Sequence, residues 1–526
     1  MAARTARRLF GALAVTVGLS AMVACEPTPP PGGELPTATI THDWDFAATR
    51  LAASATTLAP TAFPRNTNAD GTWFTVGAAD WTSGFFPGLL WLMYERTGDA
   101  VWRTRALTWQ DNLESQKTNA ANHDVGFKMF TSFGNAYRLT NTESYRQVLL
   151  TSAGTLASRW DPDVGMIRSL GSVTDTSNFQ VIIDNLMNLE LLWWAADHGG
   201  NPAWRTMATS HALRAITDAQ RADGSIYHLV NYNPTTGAVT SKGTIQGYAA
   251  ESTWARGQAW AIYGWTMAYR YTGDARFLDA AEKAADYYIA HLPADDVPYW
   301  DFELPTTTGE PRDSSAAAIA ASGLLELATY QPDATARLAY VAPARDMLTS
   351  LSSPAYLSEG TTNRAILLHG TRHKPAGSFD HGLVFGDYYF LEALNRYQDM
   401  FPPPPTTSST GATSSTTAST TTTTTTTPAA AFTLGVSPAS QTLARGKTFT
   451  FTATVNPTGG FSSAVNFTLA GAPAGATVTF RPNPSATTST IKVVTTASTA
   501  PRAYPLTVTG TAAGLTRTAT ATMTVT

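Results

Sequence analysis

The chain has 526 residues, of which 43% are hydrophobic and only 14% charged, with a net charge of −4 and a single cysteine. That length suits two or three domains, and so weak a charge without a basic stripe argues against a nucleic-acid partner. One cysteine excludes an intrachain disulfide, and no Gly-rich phosphate loop or Cys/His cluster with metal-ligand spacing is present, so no cofactor and no metal are expected.

Residues 1–24 read as a secretory signal: Arg4, Arg7 and Arg8 precede an apolar run from Leu9 to Ala24 that is too short for a comfortable membrane span. The run ends in Met22-Val23-Ala24-Cys25, which resembles the cleavage box of bacterial lipoproteins, with Cys25 as the lipid-bearing first residue and Met22 where Leu or Val is usual. The alternative is an ordinary signal peptide with an incidental Cys25. Residues 25–42, Pro-rich from Glu26 to Pro36, read as a tether, and the protein is expected to be secreted or held at the bacterial cell surface by a lipid.

Residues 43–400 are dense in Trp, Tyr, Leu and Ala at helical spacing. A turn signature recurs in Tyr94-Glu95-Arg96-Thr97-Gly98-Asp99, Tyr137-Arg138-Leu139-Thr140-Asn141 and Tyr269-Arg270-Tyr271-Thr272-Gly273-Asp274. Gly takes the left-handed position that ends one helix, and Asp or Asn caps the next. Weaker versions stand at Gly199-Gly200-Asn201-Pro202 and near Asp333. Hairpins recurring at this spacing predict an all-α (α/α)6 toroid, whose loops gather at one open end. Residues 401–431 are a Pro/Ser/Thr linker with an unbroken Thr run ending at Thr427, too polar to fold. From 432 to 526 the period changes to two, as in Thr448 to Val455, Ala476 to Phe480 and Thr518 to Val525, which predicts an immunoglobulin-like β-sandwich serving as a spacer or wall contact.

Two lone carboxylates stand out within apolar stretches of the helical region, Asp124 in Asn122-His123-Asp124-Val125-Gly126-Phe127 and Asp184 in Ile182-Ile183-Asp184-Asn185-Leu186. An ionised Asp is rarely buried without a partner, and two of them raise the possibility of paired-carboxylate chemistry on a sugar. Read alone, Asp124 is equally a turn residue and Asp184 a helix cap; Arg256 is equally a structural ion-pair partner, His228 a satisfied histidine, and Trp254 and Trp260 core residues.

The motifs fall in a fixed order: Asp80-Trp81-Thr82-Ser83-Gly84-Phe85-Phe86-Pro87-Gly88, His123-Asp124-Val125-Gly126-Phe127, Ile183-Asp184-Asn185, Asp223-Gly224-Ser225-Ile226-Tyr227-His228, Gln246-Gly247-Tyr248, Thr253-Trp254-Ala255-Arg256-Gly257-Gln258-Ala259-Trp260, and Val297-Pro298-Tyr299-Trp300-Asp301 with Arg312-Asp313-Ser314-Ser315. Together they resemble glycoside hydrolase family 88, the unsaturated glucuronyl hydrolases, over most of the helical region. The resemblance implies an (α/α)6 barrel that takes oligosaccharides ending in a 4,5-unsaturated uronic acid, left by polysaccharide lyases, and hydrates the C4=C5 bond. It implies catalysis by Asp184 and Asp124 and sugar contacts by His228, Gln246, Trp254, Arg256 and Trp260, with Arg256 suited to the substrate carboxylate. On that reading Asp184 gives the proton to C4 and takes one from water, while Asp124 orients the sugar and keeps Asp184 protonated. Leu170, after Ser169, departs from the Trp often found there. Asp313 reads as a cap, and the polar run His369 to Lys374 as an exposed loop. Two rivals remain: an unsaturated rhamnogalacturonyl hydrolase of the same fold, and a non-catalytic glycan-binding lipoprotein.

Overall fold

A computed structural model of the protein describes residues 33–402 and most of 431–526. The signal, Cys25, most of the tether and nearly all of the linker lie outside the described residues. The chain divides into two units, before and after residue 408.

In the first unit the turn signature marks the ends of helical hairpins. Helix α1 is Thr37–Thr57, α2 Phe85–Thr97, α3 Ala100–Gln110, α5 Glu143–Ala157, α7 Ala203–Ala219, α8 Ala255–Thr272, α9 Ala275–Ala290, α10 Ser314–Ala328, α11 Ala334–Leu351 and α12 Val384–Met400. Two are composite: α4 runs Val125–Met129, a π turn Phe130–Gly134 and Asn135–Thr140, and α6 a 3-10 turn Ile183–Asn188 followed by Glu190–Asp197. Gly98 and Gly273 both end their helices at φ 68°, where a side chain would be strained, and Asp99 and Asp274 cap the next helix through Val101 N and Arg276 N at 3.0 Å each.

Apolar periodicity sorts the helices into two rings. All of α10 is buried, as is α8 from Ala255 to Ala268, so these are inner helices with no solvent face. Helix α9 buries only Phe277, Ala280, Ala281, Ala284, Ala285, Tyr287 and Tyr288, the stripe of an outer helix. Helices α2, α4, α6, α8, α10 and α12 touch in that order and α12 returns to α2, which closes the toroid. The short turns join inner to outer helices at one end. At the other end long connections lead into the N-termini of the inner helices, and these carry the motifs.

The first helix begins at Thr37, inside the segment read as tether, and Leu35 N already donates to the Tyr397 hydroxyl at 2.8 Å. The β-branched Thr and Ile of its first turn masked the helical signal. Among the described residues no helix is long and apolar enough to cross a membrane.

In the second unit, strands β1 (Ala431–Ser437), β2 (Ser440–Leu443), β3 (Thr448–Thr458), β4 (Asn466–Ala470), β5 (Thr477–Arg481), β6 (Thr488–Val494), β7 (Ala503–Ala512) and β8 (Leu515–Val525) form two four-stranded sheets, ordered β5-β6-β3-β1 and β4-β7-β8-β2. Phe449, Phe451, Ile491 and Val493 from one sheet share a core with Leu506, Val508 and Met523 from the other, the alternation expected of a sandwich. The Tyr504 hydroxyl donates to Ala500 O at 2.9 Å, which ties the start of β7 to the segment before it.

Candidate active site

Asp124 sits at the N-cap of α4 and Asp184 in the first turn of α6, but neither carboxylate makes a capping hydrogen bond. Both keep 14% of the side chain exposed, although Asp184 Oδ2 itself is buried, so each carboxylate still reaches the loop end of the toroid. What brings them together is a close approach of α4 and α6. A Cβ on Gly126 would lie 2.6 Å from Asn188 Cα, so only glycine allows this contact. Asn188, one turn after Asp184, accepts from Phe127 N at 2.8 Å through Oδ1 and meets His123 Nδ1 at 3.4 Å through Nδ2. His123 Nε2 in turn lies 3.3 Å from Asp124 Oδ1.

His228 faces the other carboxylate. Its Nδ1 accepts from Ile245 N at 3.2 Å and Gln246 N at 3.3 Å, which leaves Nε2 to carry the ring proton. Nε2 lies 3.5 Å from Asp184 Oδ2, at the outer edge of hydrogen bonding. Trp254 packs on the imidazole, with ring centroids 4.4 Å apart, and fixes its plane.

The electrostatics set the two carboxyls apart. Burial raises the Asp124 carboxyl, Asp184 and Asp80 add to that rise, and His123 and Lys128 oppose it. Burial also works to raise Asp184, but it is outweighed by His228, through hydrogen bonding and charge, and by the charges of His123 and Arg256, so this carboxyl ends below its ordinary value. The resting surroundings thus push the two carboxyls in opposite directions, Asp124 toward holding a proton and Asp184 toward releasing it.

Three of the expected sugar contacts are found packed into the protein around the site. Arg256 is 1% exposed: Nη1 pairs with Asp313 Oδ2 at 2.6 Å and also donates to Thr371 O, while Nη2 donates to Arg372 O at 2.6 Å. It is committed to the protein, as the ion-pair alternative held. Trp260 has no accessible surface and packs tilted against Phe127 and edge-on against Tyr389, and Trp254 is 2% exposed beneath His228. These side chains support the site from below. Gln246 stays half-buried at the wall, with Nε2 donating to Arg372 O at 3.0 Å. Asp313 caps α10 through Ser315 N, as read. The run 369–374 is only partly a free loop: Thr371 is buried, and the His373 ring meets Ile245 O at 3.0 Å. Leu170 lies half-buried beside Ser169, whose carbonyl accepts from His123 N at 3.2 Å.

Sequence reasoning passed over Trp81, Asn188 and Lys128. Trp81 keeps part of its indole exposed and packs on Phe127 and Phe385, which offers the flat apolar face that Trp254 and Trp260 do not. Lys128 is fully buried in the first turn of α4, four residues after Asp124, and its Nζ has no hydrogen-bond partner. A lysine between Phe127 and Met129 on an otherwise apolar helix was the available signal.

A toroid with two uncapped carboxylates at adjacent inner-helix starts defines a carbohydrate-active hydrolase of the (α/α)6 class. The chain belongs to Glycosyl Hydrolase Family 88, whose model matches residues 55–353. It is 45% identical over 330 residues to the unsaturated glucuronyl hydrolase of Formosa agariphila, covering 62% of this chain and 82% of that one. A crystal structure of an unsaturated glucuronyl hydrolase specific for heparin is 39% identical, with a TM-score of 0.67 over 70% of this chain and 98% of its own. That of the Streptococcus agalactiae enzyme, as an Asp-to-Asn mutant complexed with dGlcA-GalNAc6S, is 29% identical, with a TM-score of 0.60 over 70% and 93%. The two aspartates changed singly in the Streptococcus agalactiae structures stand 60 residues apart, the separation of Asp124 and Asp184 here.

Proposed function

We infer that the protein is an unsaturated glucuronyl hydrolase, which removes the terminal 4,5-unsaturated uronic acid from oligosaccharides left by polysaccharide lyases. The observation that carries this reading is the uncapped pair Asp124 and Asp184, held at adjacent helix starts by the Gly126–Asn188 approach in a chain of family 88. The bond attacked is an enol ether. Protonation at C4 places positive charge on C5 and the ring oxygen, water adds at C5, and the hemiketal opens and releases the rest of the chain. Because the anomeric carbon is not the electrophile, the separation of the carboxylates carries no message about retention or inversion.

Asp184 is the residue we assign to proton transfer, with His228 Nε2–H holding one carboxylate oxygen so that the other addresses the sugar. Asp124 then takes the ring hydroxyls and stabilises the cationic transition state. An arriving uronate brings a further negative charge and raises the proton affinity of both carboxyls, which supplies Asp184 with its proton. The opposite push on the two resting carboxyls favours one second assignment, with Asp124 as the acid and Asp184 activating the water.

The test is loss of the enol-ether ultraviolet absorbance, with unsaturated chondroitin and hyaluronan disaccharides beside an unsaturated rhamnogalacturonan disaccharide. Preference for the last would overturn the glucuronyl assignment. Asp184→Asn is expected to lower kcat by about 10²- to 10⁴-fold while calorimetric substrate binding persists. A kcat near wild type removes Asp184 from the proton path, and retained binding without turnover in Asp124→Asn alone favours the second assignment.

We further propose export and lipid attachment at Cys25, supported by Arg4, Arg7 and Arg8 ahead of the apolar run to Ala24. Metabolic labelling with a fatty-acid probe should mark the wild type and not Cys25→Ser; label retained in that variant would refute the anchor.

A further inference from the structure

Each of the two carboxylates is faced by a histidine, and in both rings the far nitrogen is already spent. Nδ1 of His228 accepts from two backbone groups, Ile245 N and Gln246 N, so its tautomer is set by the chain itself. Nδ1 of His123 is met instead by a side chain, Asn188 Nδ2 at 3.4 Å. Asn188 is not free to turn its amide over. Phe127 N can only donate, and it reaches Asn188 Oδ1 at 2.8 Å, so the amide oxygen points to Phe127 and the NH2 group to His123. An NH2 group opposite Nδ1 requires that nitrogen to be bare, and a neutral imidazole with a bare Nδ1 carries its proton on Nε2. Asn188 has no accessible surface and His123 is 1% exposed, so bulk water does not compete for these positions.

His123 Nε2 lies 3.3 Å from Asp124 Oδ1. With its proton on Nε2 the ring offers that oxygen an N–H, as His228 Nε2 does to Asp184 Oδ2 at 3.5 Å. With the proton on Nδ1, a lone pair of the ring would face an ionised Asp124 across the same gap. The tautomer therefore decides which oxygen of Asp124 can hold a proton. Oδ1 is taken by the N–H, and Oδ2, which makes no hydrogen bond among the described residues, is left. Asn188 imposes this from the opposite helix. It ends the 3-10 turn that carries Asp184, yet its amide acts on the histidine beside Asp124, at the approach where a Cβ on Gly126 would lie 2.8 Å from Asn188 Oδ1.

We propose that Asn188 is a positioning residue that fixes the Nε2–H tautomer of His123 and through it directs any proton held by Asp124 to Oδ2. The inference rests on the reading of function above and deepens it by naming the group that sets how Asp124 is presented. The two histidines differ in what locks them: His228 is held by backbone, His123 by one amide that a single substitution changes. That amide couples the two carboxylate-bearing helices, and its effect on the reaction passes through the His123 ring. An Asp124 presented by the wrong oxygen stabilises the developing cation less well, so the loss belongs chiefly in kcat.

The experiment reads the ring protons directly. In protein carrying isotopically labelled histidine, nitrogen NMR separates a protonated from a bare ring nitrogen, and His123→Gln assigns the signals. Wild type should show His123 with a proton on Nε2 and a bare Nδ1. Asn188→Asp keeps an oxygen for Phe127 N and turns the other end from donor to acceptor, so Nδ1 should gain a proton. At a pH where the same spectra show one proton on the ring, kcat on an unsaturated glucuronyl disaccharide should fall about 10- to 100-fold, the worth of a charge-assisted hydrogen bond. In a His123→Gln background the same change should cost no more than about 2-fold further, because the path through the ring is gone. A wild-type ring protonated at Nδ1 would overturn the proposal without recourse to any variant. So would losses from Asn188→Asp and His123→Gln that simply multiply, which confine Asn188 to the Gly126 contact. Turnover by wild type is read separately: its absence removes the reading of function, while the spectra still decide the tautomer.

Discussion

Removing Arg256 is the sharpest test of how the site is supported. In Arg256→Ala the Asp313 carboxylate, with no accessible surface, loses its ion pair with Arg256, and Thr371 O and Arg372 O lose a donor. Breaking a buried pair from one side costs about 3–5 kcal/mol. Asp313 keeps Ser315 Oγ at 2.6 Å, Ser315 N at 3.2 Å and Thr371 N at 3.2 Å, which places the charge term toward the lower bound. The guanidinium also lies over the Trp254 ring, 4.5 Å from its centroid, a contact whose loss adds about 1 kcal/mol. A total of about 4 kcal/mol should lower Tm by roughly 5–10 °C in a domain of this size. Differential scanning calorimetry reads the shift, and kinetics well below Tm read the site. An unchanged Tm with a KM raised selectively for the carboxylated substrate would refute this account and restore Arg256 as the group that touches the sugar.

Other perturbations have defined outcomes. Lys128→Met removes a buried ammonium that holds the Asp124 carboxyl down, so Asp124 should gain a proton at higher pH and the acidic limb of the kcat/KM profile should move upward; an unmoved limb would uncouple the two. Gly126→Ala forces α4 off Asn188, and kcat should fall with little change in fold by circular dichroism, whereas full activity would show that the carboxylate spacing tolerates the shift. Asp387, raised by burial to about 7 from 3.8, binds its proton in the folded chain where the unfolded chain has released it. Stability should therefore fall as pH climbs from about 4 to about 7 by at most roughly 4 kcal/mol, and Asp387→Asn should flatten that slope in urea titrations; a slope unchanged in the variant would clear Asp387 of it.

The fold was legible because its repeat is a local matter: Gly98-Asp99 and Gly273-Asp274 end one helix and cap the next whatever surrounds them. The carboxylates were legible because an Asp among Ile, Leu and Phe has no structural use unless it caps, and neither does. What failed was the direction in which side chains near a helix start point. Arg256 and Trp260 follow Trp254 on one helix, and no spacing distinguishes a residue that faces the cleft from one that faces Asp313 or Phe127. The opposite push on the two carboxyls was out of reach because it depends on His228 and Lys128, whose distances to them no sequence supplies.

The two ends of the toroid follow opposite charge logic, and this explains which motifs repeat and which do not. Inner helices place their C-termini at the short turns, where partial negative charge gathers, and there Arg96, Arg138 and Arg270 occupy last turns. Arg138 and Arg270 meet acids on neighbouring inner helices, as does Arg396: Arg138 pairs with Glu95, Arg270 with Glu190 at 2.6 Å and Glu326 at 3.0 Å, and Arg396 with Glu326 at 2.9 Å, while Arg96 donates to Gln398. The Tyr-Arg of the second and third turn signatures is part of this structural network, so it recurs. At the opposite end the helix N-termini offer partial positive charge to whatever anion arrives, and there the residues at the inner helix starts have different surroundings: Asp124 and Asp184 are uncapped, Trp254 lies under His228, and Asp313 caps its helix and pairs with Arg256. Repetition at one end closes the ring, and divergence at the other equips it. An anionic sugar should therefore enter only at the divergent end, and a charge-reversing change there, Arg372→Glu, should weaken binding of the acid far more than the same reversal at Arg138.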